Sequence, residues 1–372
     1  LRVQSLDLYQ YRNIATLELK CPEELHLFVG PNAQGKTNIL ESLYVLALGK
    51  SHRSRSPREL IQFGKQRAHL KARVAKDGQI HRLEVQLFEK GKKVSRNGIE
   101  QSRLSQYIGF LPAVLFAPED LALVKGSPQV RRRFLDMEIG QVSRTYVHHL
   151  SQLSKLIIQR NHLLKELGKN RQTYSPLLDV MDEQFVSLAV PIWEKRFRFL
   201  RMLTKWAQEI HQTITQKQEE LMIEYVPSIQ IDDGMRTEQL REIFANELLK
   251  IRDKEIRRGS TLLGPQRDDF RLKANQLDLH TFGSQGQQRT AALSLKLAEI
   301  ELIHQEMGVY PILLLDDVLS ELDDSRKTHL LTAIRGRVQT FVTTTNLEGI
   351  DSATLEQARI YRVRQGIITE LG

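Results

Sequence analysis

The stretch Gly30-Pro31-Asn32-Ala33-Gln34-Gly35-Lys36-Thr37 constrains this chain more than any other feature. It meets G-x-x-x-x-G-K-[ST] at every fixed position. The short apolar run Leu25-His26-Leu27-Phe28-Val29 before it reads as a buried strand, and Asn38 to Leu48 after it reads as a helix. A strand that ends this way must wrap its backbone N–H groups around an anion, and Gly30 and Gly35 permit the torsions and the close approach. The following helix adds its positive N-terminal end. Lys36 is then placed to reach the β- and γ-phosphates, and the Thr37 hydroxyl to ligate Mg²⁺. The expected architecture is therefore α/β around a strand–loop–helix unit.

A second stretch fits the same chemistry. Pro311-Ile312-Leu313-Leu314-Leu315-Asp316-Asp317 is an apolar run closed by two carboxylates. Apolar residues in unbroken succession suit a central parallel strand buried on both faces. Asp316 at its end can hold Mg²⁺, and Asp317 lies where a carboxylate polarises an attacking water. Lys36 and Asp317 are the candidate catalytic pair, and Thr37 and Asp316 the candidate metal ligands.

The remaining pattern has two regimes. Residues 2–20 alternate around a turn at Tyr11-Arg12-Asn13, and residues 67–99 alternate with turns at Asp77-Gly78 and Asn97-Gly98, as antiparallel strands do. From about residue 128 the period becomes helical. Leu150, Leu153, Ile157, Leu164 and Leu167 form one stripe, and Phe185, Leu188, Ile192, Phe199, Leu203, Trp206 and Ile210 form another. The polar segment from Gly168 to Pro176 between them makes a short antiparallel helical hairpin. Strand-like and helical segments return after Gly259, ending in a hairpin at Ile360–Leu371. The expected division is 1–120 and 262–372 as two parts of one head, with 121–261 as a helical lobe. Cys21 is the single cysteine of 372 residues, so no intrachain disulfide forms. No apolar stretch reaches the roughly 18–20 residues of a membrane span, and no signal-peptide pattern opens the sequence; a cytoplasmic protein without a membrane partner is expected.

Further motifs carry a family resemblance. Phe282-Gly283-Ser284-Gln285-Gly286-Gln287-Gln288-Arg289, followed by a helix from Thr290 to His304, resembles the signature motif of the ABC-ATPase superfamily, although Ser284 to Gln287 also reads as an ordinary polar helix cap. Asp316-Asp317-Val318-Leu319-Ser320-Glu321-Leu322-Asp323 resembles a Walker B strand end with its D-loop. Thr343-Thr344-Thr345-Asn346 stands at the switch loop, with Thr345 where transporters have His, and Phe116-Ala117-Pro118 stands where a Q-loop glutamine is usual. Within the superfamily the sequence resembles the RecF family. Pro118 to Asp136, Leu263-Gly264-Pro265-Gln266-Arg267-Asp268-Asp269, Tyr11-Arg12-Asn13 and Gly49-Lys50-Ser51-His52-Arg53 carry that likeness over nearly the whole chain. The resemblance implies an ABC-type head with a mixed sheet and an antiparallel β subdomain. It implies ATP and Mg²⁺ as cofactors, with Arg12, Asn13, Ser284, Gln285, Gly286, Gln287 and Asp323 joining Gly30 to Thr37 around the nucleotide. It also implies an ATP-dependent homodimer, slow hydrolysis used as a switch, and work with RecR and RecO in loading RecA at gapped DNA. The 248 residues between Lys36 and Ser284 exceed the spacing of transporter ATPases and fall short of that of coiled-coil SMC tethers, the two competing readings.

Charge agrees with a polyanionic partner. Basic side chains outnumber acidic ones 19 to 12 in residues 1–120 and 23 to 18 in 121–260, against 12 to 15 in 261–372. Lys50, Arg53, Arg55, Arg58, Lys65, Arg67, Lys71 and Arg73 form one cluster, and Lys90, Lys92, Lys93, Arg96 and Arg103 another. Such clusters either neutralise DNA phosphates without reading sequence or cover a solvated loop and the outer face of a sheet. Arg131-Arg132-Arg133 opens a helix after Pro128 and is expected to be structural or subunit-facing.

Overall fold

The computed structural model describes the chain apart from residues 55, 322–326, 328, 329, 331–333, 349, 351 and 372. The described strands, in chain order, are β1 (Arg2–Tyr11), β2 (Ile14–Lys20), β3 (Leu25–Val29), β4 (Arg67–Lys76), β5 (Gln79–Phe88), β6 (Gly91–Arg96), β7 (Ile99–Glu100) and β8 (Ala113–Phe116). They continue with β9 (Leu221–Val226), β10 (Asp269–Ala274), β11 (Leu277–Asp278), β12 (Ile312–Asp316), β13 (Thr340–Thr344), β14 (Ala358–Arg364) and β15 (Ile367–Leu371). The longer helices are α1 (Lys36–Leu48), α2 (Pro128–Val142), α3 (Arg144–Lys169), α4 (Pro176–Ile214), α5 (Thr237–Arg258) and α6 (Gln285–Met307). None of the described helices is long and apolar enough to cross a membrane.

Two compact units result, residues 1–120 with 293–372 and residues 121–292. In the first, a sheet of order β15-β14-β3-β13-β12-β8 is parallel except for its edge strand β15. A second sheet of order β2-β1-β4-β5-β6-β7 is antiparallel throughout. Helix α1 packs on β12 and β13 of one sheet and on β4 and β5 of the other. That placement explains its sequence: Ile39, Leu40, Leu43, Val45 and Leu46 are all fully buried, as expected of a helix covered on more than one face. The buried Gln339 joins the sheets, exchanging hydrogen bonds with both backbone atoms of Val3, at 2.7 and 2.9 Å. The mixed head sheet with its antiparallel partner is the architecture expected from sequence.

The second unit carries α2 to α5 and a three-stranded antiparallel sheet, β11-β10-β9. Helices α3 and α4 form the expected hairpin, and Leu164, Leu167, Leu178 and Ile256 make a buried cluster with α5. Two features depart from the sequence-based division. The lobe is not wholly helical, because β9 follows α4 and pairs with β10 from Leu221 to Val226. That pairing also carries residues 262–292 into the second unit, whereas the sequence alone puts the boundary near 261.

Candidate functional site

The sheet register builds the site. Val29 of β3 lies beside Thr344 of β13, and Thr343 beside Asp316 of β12, so the glycine loop leaves the sheet next to the acidic strand end. The Thr37 hydroxyl consequently donates to Asp316 Oδ1 at 2.8 Å, across 279 residues of sequence. Thr343 donates to the same oxygen at 2.7 Å, and its hydroxyl accepts the Asp317 N–H at 2.9 Å. Burial raises the Asp316 carboxyl above its ordinary range, and the two threonine hydroxyls oppose it. Asp317 itself has φ +55°, a left-handed conformation uncommon for a residue with a side chain.

Lys36 is buried, and its Nζ donates to the carbonyls of Gly30 and Pro31 at 2.6 and 3.0 Å. Burial draws its ammonium pKa down, while Asp317 and Asp316 hold it up. The two glycines of the loop have different reasons. Gly35 has φ +105°, where side chains rarely fit. At Gly30 a Cβ would lie 2.3 Å from the Val363 carbonyl oxygen, so the neighbouring strand β14 demands glycine whatever the loop binds. Ala33 has φ +65° without being glycine, at a cost of about 1 kcal/mol.

These residues fit a triphosphate with a hard divalent cation. A hydroxyl and one carboxylate oxygen converge within hydrogen-bond reach, a buried ammonium stands beside them, and a helix N-terminus opens at the loop. Among the described residues no cluster of three His, Cys, Asp or Glu side chains could cage a metal. Two protein oxygens, completed by water and phosphate, suit Mg²⁺.

The structure sorts the other candidates. Asn13 braces the loop: its Nδ2 donates to the Gln34 carbonyl at 3.0 Å, and its Oδ1 accepts from Asn38 at 2.8 Å. Arg12 grips both Glu41 oxygens at 2.9 and 2.7 Å, the Ser54 hydroxyl and the Glu59 carbonyl. Ser284 and Gln287 form a reciprocal capping box at the start of α6, Ser284 N–H to Gln287 Oε1 at 2.9 Å and Gln287 N–H to Ser284 Oγ at 3.2 Å. The cap expected as the plain alternative is thus present, and Ser284 and Gln285 remain exposed. Asp323 lies outside the described residues. At the switch loop, Thr343 rather than Thr345 touches Asp316.

Sequence reasoning missed two charges here. Glu119 and Arg53 both act on the Asp316 carboxyl, Glu119 raising its pKa and Arg53 lowering it. The pairing of Phe116 with Leu315 brings the chain after β8 to the end of β12, a register that no local motif encodes. By sequence alone Arg53 falls within a basic cluster. Elsewhere in those clusters Arg58 pairs with Glu89 at 3.1 Å and Lys93 with Glu100 at 3.2 Å. Lys71 stands between Asp7 and Glu84 in the sheet register. Arg55 lies outside the described residues.

With this geometry established, comparison with known proteins decides the family. The sequence model of the RecF/RecN/SMC N terminal domain matches residues 2–369. The chain is 51% identical over 368 residues to the DNA replication and repair protein RecF of Bacillus subtilis, covering 99% of this chain and all of that one. It is 49% identical over 368 residues to the protein of that name from Oceanobacillus iheyensis, with the same coverage. The chain belongs to the RecF family. A solved structure of the recombination mediator protein RecF with ATP in the RecFOR pathway superposes with a TM-score of 0.92 at 31% identity, over 100% of this chain and 97% of that one. An Smc head bound to the C-winged helix domain of ScpA, at 13% identity and a TM-score of 0.55, shares the fold. The two longest stretches behind the RecF resemblance meet in the second unit. Arg131 grips Asp269 through two nitrogens at 2.7 and 2.8 Å, and Arg132 donates to the Asp268 carbonyl at 2.6 Å. Asp268 is fully buried and accepts from Trp193 Nε1 and the Ser228 N–H, each at 2.7 Å. The arginine run is accordingly structural for Arg131 and Arg132.

Proposed function

We propose that the chain binds ATP with Mg²⁺, dimerises head to tail upon it and hydrolyses it slowly, using this cycle to hold DNA during recombinational repair and replication. RecR and RecO would be its partners, as the RecFOR pathway named for its solved relatives suggests, and RecA loading at gaps the outcome, as the family resemblance implies. One observation carries the nucleotide reading: Thr37 and Asp316, from opposite ends of the chain, share a hydrogen bond at the mouth of the glycine loop. Thr37 and Asp316 would hold the cation, which when bound supplies charge that offsets the phosphate oxygens. Lys36 neutralises the β- and γ-phosphates from its buried position, the loop N–H groups cradle the β-phosphate, and Asp317 orients a water for in-line attack. Its backbone tie to Thr343 fixes where that carboxylate begins. An aspartate one bond shorter than the usual glutamate suits a slow switch.

Lys36→Met tests the reading. Removing the ammonium should lower ATP affinity at least about a hundredfold, the worth of one to two charge-assisted hydrogen bonds, and abolish turnover. The variant should still unfold in one cooperative transition without nucleotide, since the lost bonds are to the loop carbonyls of Gly30 and Pro31 and not to the sheet core. Normal turnover in this variant would refute the assignment.

A further inference from the structure

The glycine loop is gripped from outside by two hairpin tips far apart in sequence. The β1–β2 turn supplies Asn13, whose amide donates to the Gln34 carbonyl at 3.0 Å. The β14–β15 turn supplies Gly366, whose N–H donates to the same carbonyl at 2.9 Å, and Gln365, whose N–H donates to Gln34 Oε1 at 2.8 Å. Gln365 and Gly366 have φ +49° and +77°, the paired positive torsions of a tight two-residue hairpin turn. The tips also touch each other, since a Cβ on Gly366 would lie 2.3 Å from the Asn13 carbonyl oxygen. Strand β14 runs flush with β3, Arg362 beside Val29, so the hairpin reaches the loop from the strand next to the one that feeds it.

The loop needs such support. Ala33 and Gly35, on either side of Gln34, both have positive φ, and such conformations persist where surrounding contacts over-determine them. We infer that the β14–β15 turn, together with Asn13, is a positioning clamp for the phosphate loop, with the Gln34 side chain as its latch. The clamp fixes the Gln34 peptide and hence the direction of the neighbouring N–H groups. It raises the fraction of chains ready to take a triphosphate, and apparent affinity scales with that fraction. Gln34 and Gly366 are positioning residues here, acting through the loop. The inference rests on the nucleotide-binding reading.

The test is a double-mutant cycle on the full chain, reading the Kd of a fluorescent ATP analogue with Mg²⁺, the KM and kcat for ATP, and the melting temperature. Gln34→Ala removes the latch, and Gly366→Ala forces the turn off the loop. Each should raise Kd and KM about tenfold, the worth of one hydrogen bond, with kcat unchanged. The double variant should lose about the same tenfold, because both changes open one clamp. Gly78→Ala, at φ +74° in a turn with nothing within 4 Å, controls for general strain and should leave Kd unchanged. Additive losses in the double variant, wild-type affinity in either single variant, or an equal loss in Gly78→Ala would overturn the clamp. A Lys36→Met chain that binds ATP as tightly as the wild type would overturn the nucleotide reading and the clamp with it. Lys36→Met failing to bind while both clamp variants bind normally would overturn the clamp alone.

Discussion

His26 lies at the centre of β3 with no exposed surface, stacked on Phe341 at 4.9 Å between ring centres. Its Nε2 meets the Glu23 carbonyl at 3.1 Å, and its Nδ1 has no hydrogen-bond partner among the described residues. Burial lowers its pKa from 6.5 to about 4, so it stays neutral at pH 7. A depressed folded pKa means that the unfolded chain binds the proton more readily. Stability is therefore complete above pH 6.5 and falls as pH drops towards 4, by on the order of 3 kcal/mol over the window. His26→Phe keeps the stacking and removes the titration. Urea unfolding from pH 7 to pH 4 should show this slope shallower in the variant, and an unchanged slope would exclude His26 as its source. At this scale the sequence was legible wherever chemistry dictates a residue type: Lys36, Thr37, Asp316 and Gly35 stand where the motifs put them. Glu119, Arg53 and the bracing role of Asn13 were not, because each depends on which strands become neighbours. Gly30 was read for the wrong reason in part, since the contact with Val363 belongs to a strand over 300 residues later.

The three long helices of the second unit meet at one side chain. Arg160 of α3 is fully buried and donates to Asp182 of α4 at 2.8 Å, to Glu255 of α5 at 2.6 Å and to Thr261 at 2.9 Å. Glu255 is equally buried and also accepts the Leu262 N–H at 2.6 Å. Replacing Arg160 by Met would leave these carboxylates without their shared cation, at a cost of about 3–5 kcal/mol. Arg160→Met paired with Glu255→Gln should recover part of that loss. Chemical denaturation of the second unit's tryptophan signal measures both, and fully additive losses would show that the two side chains are not coupled. Helices α3 and α4 were legible because their apolar stripes are dense. Helix α5 buries only Leu240, Phe244, Leu248 and Ile256 among its apolar residues, a stripe too sparse to stand out. Strand β9, six residues directly after a 39-residue helix, gave no period of its own until β10 was there to pair with it.

At the scale of the molecule, the first unit is closed by both ends of the chain, and the second is inserted between them. One chain carries the phosphate loop in the first unit and the Ser284-Gln285-Gly286-Gln287 segment, with Ser284 and Gln285 exposed, in the second. In the proposed head-to-tail dimer each would supply what the other's nucleotide lacks, so the γ-phosphate would bind better in the dimer than in the monomer and shift the equilibrium towards it. Ser284 and Gln285 are exposed at the start of α6, and a helix N-terminus suits an anion. Ser284→Arg places bulk at that contact and should prevent dimerisation while each monomer still binds ATP through Lys36. Asp317→Asn should do the reverse. It keeps the shape of the site and the N–H bond to Thr343, but weakens the orientation of water, so the ATP-bound dimer should accumulate. Sedimentation velocity of the wild type and both variants, with and without ATP and Mg²⁺, separates these outcomes. Dimer should rise with ATP in the wild type, rise further and persist in Asp317→Asn, and be absent in Ser284→Arg. If the wild type stays monomeric with ATP, or Ser284→Arg dimerises as the wild type does, ATP does not join two heads through this segment.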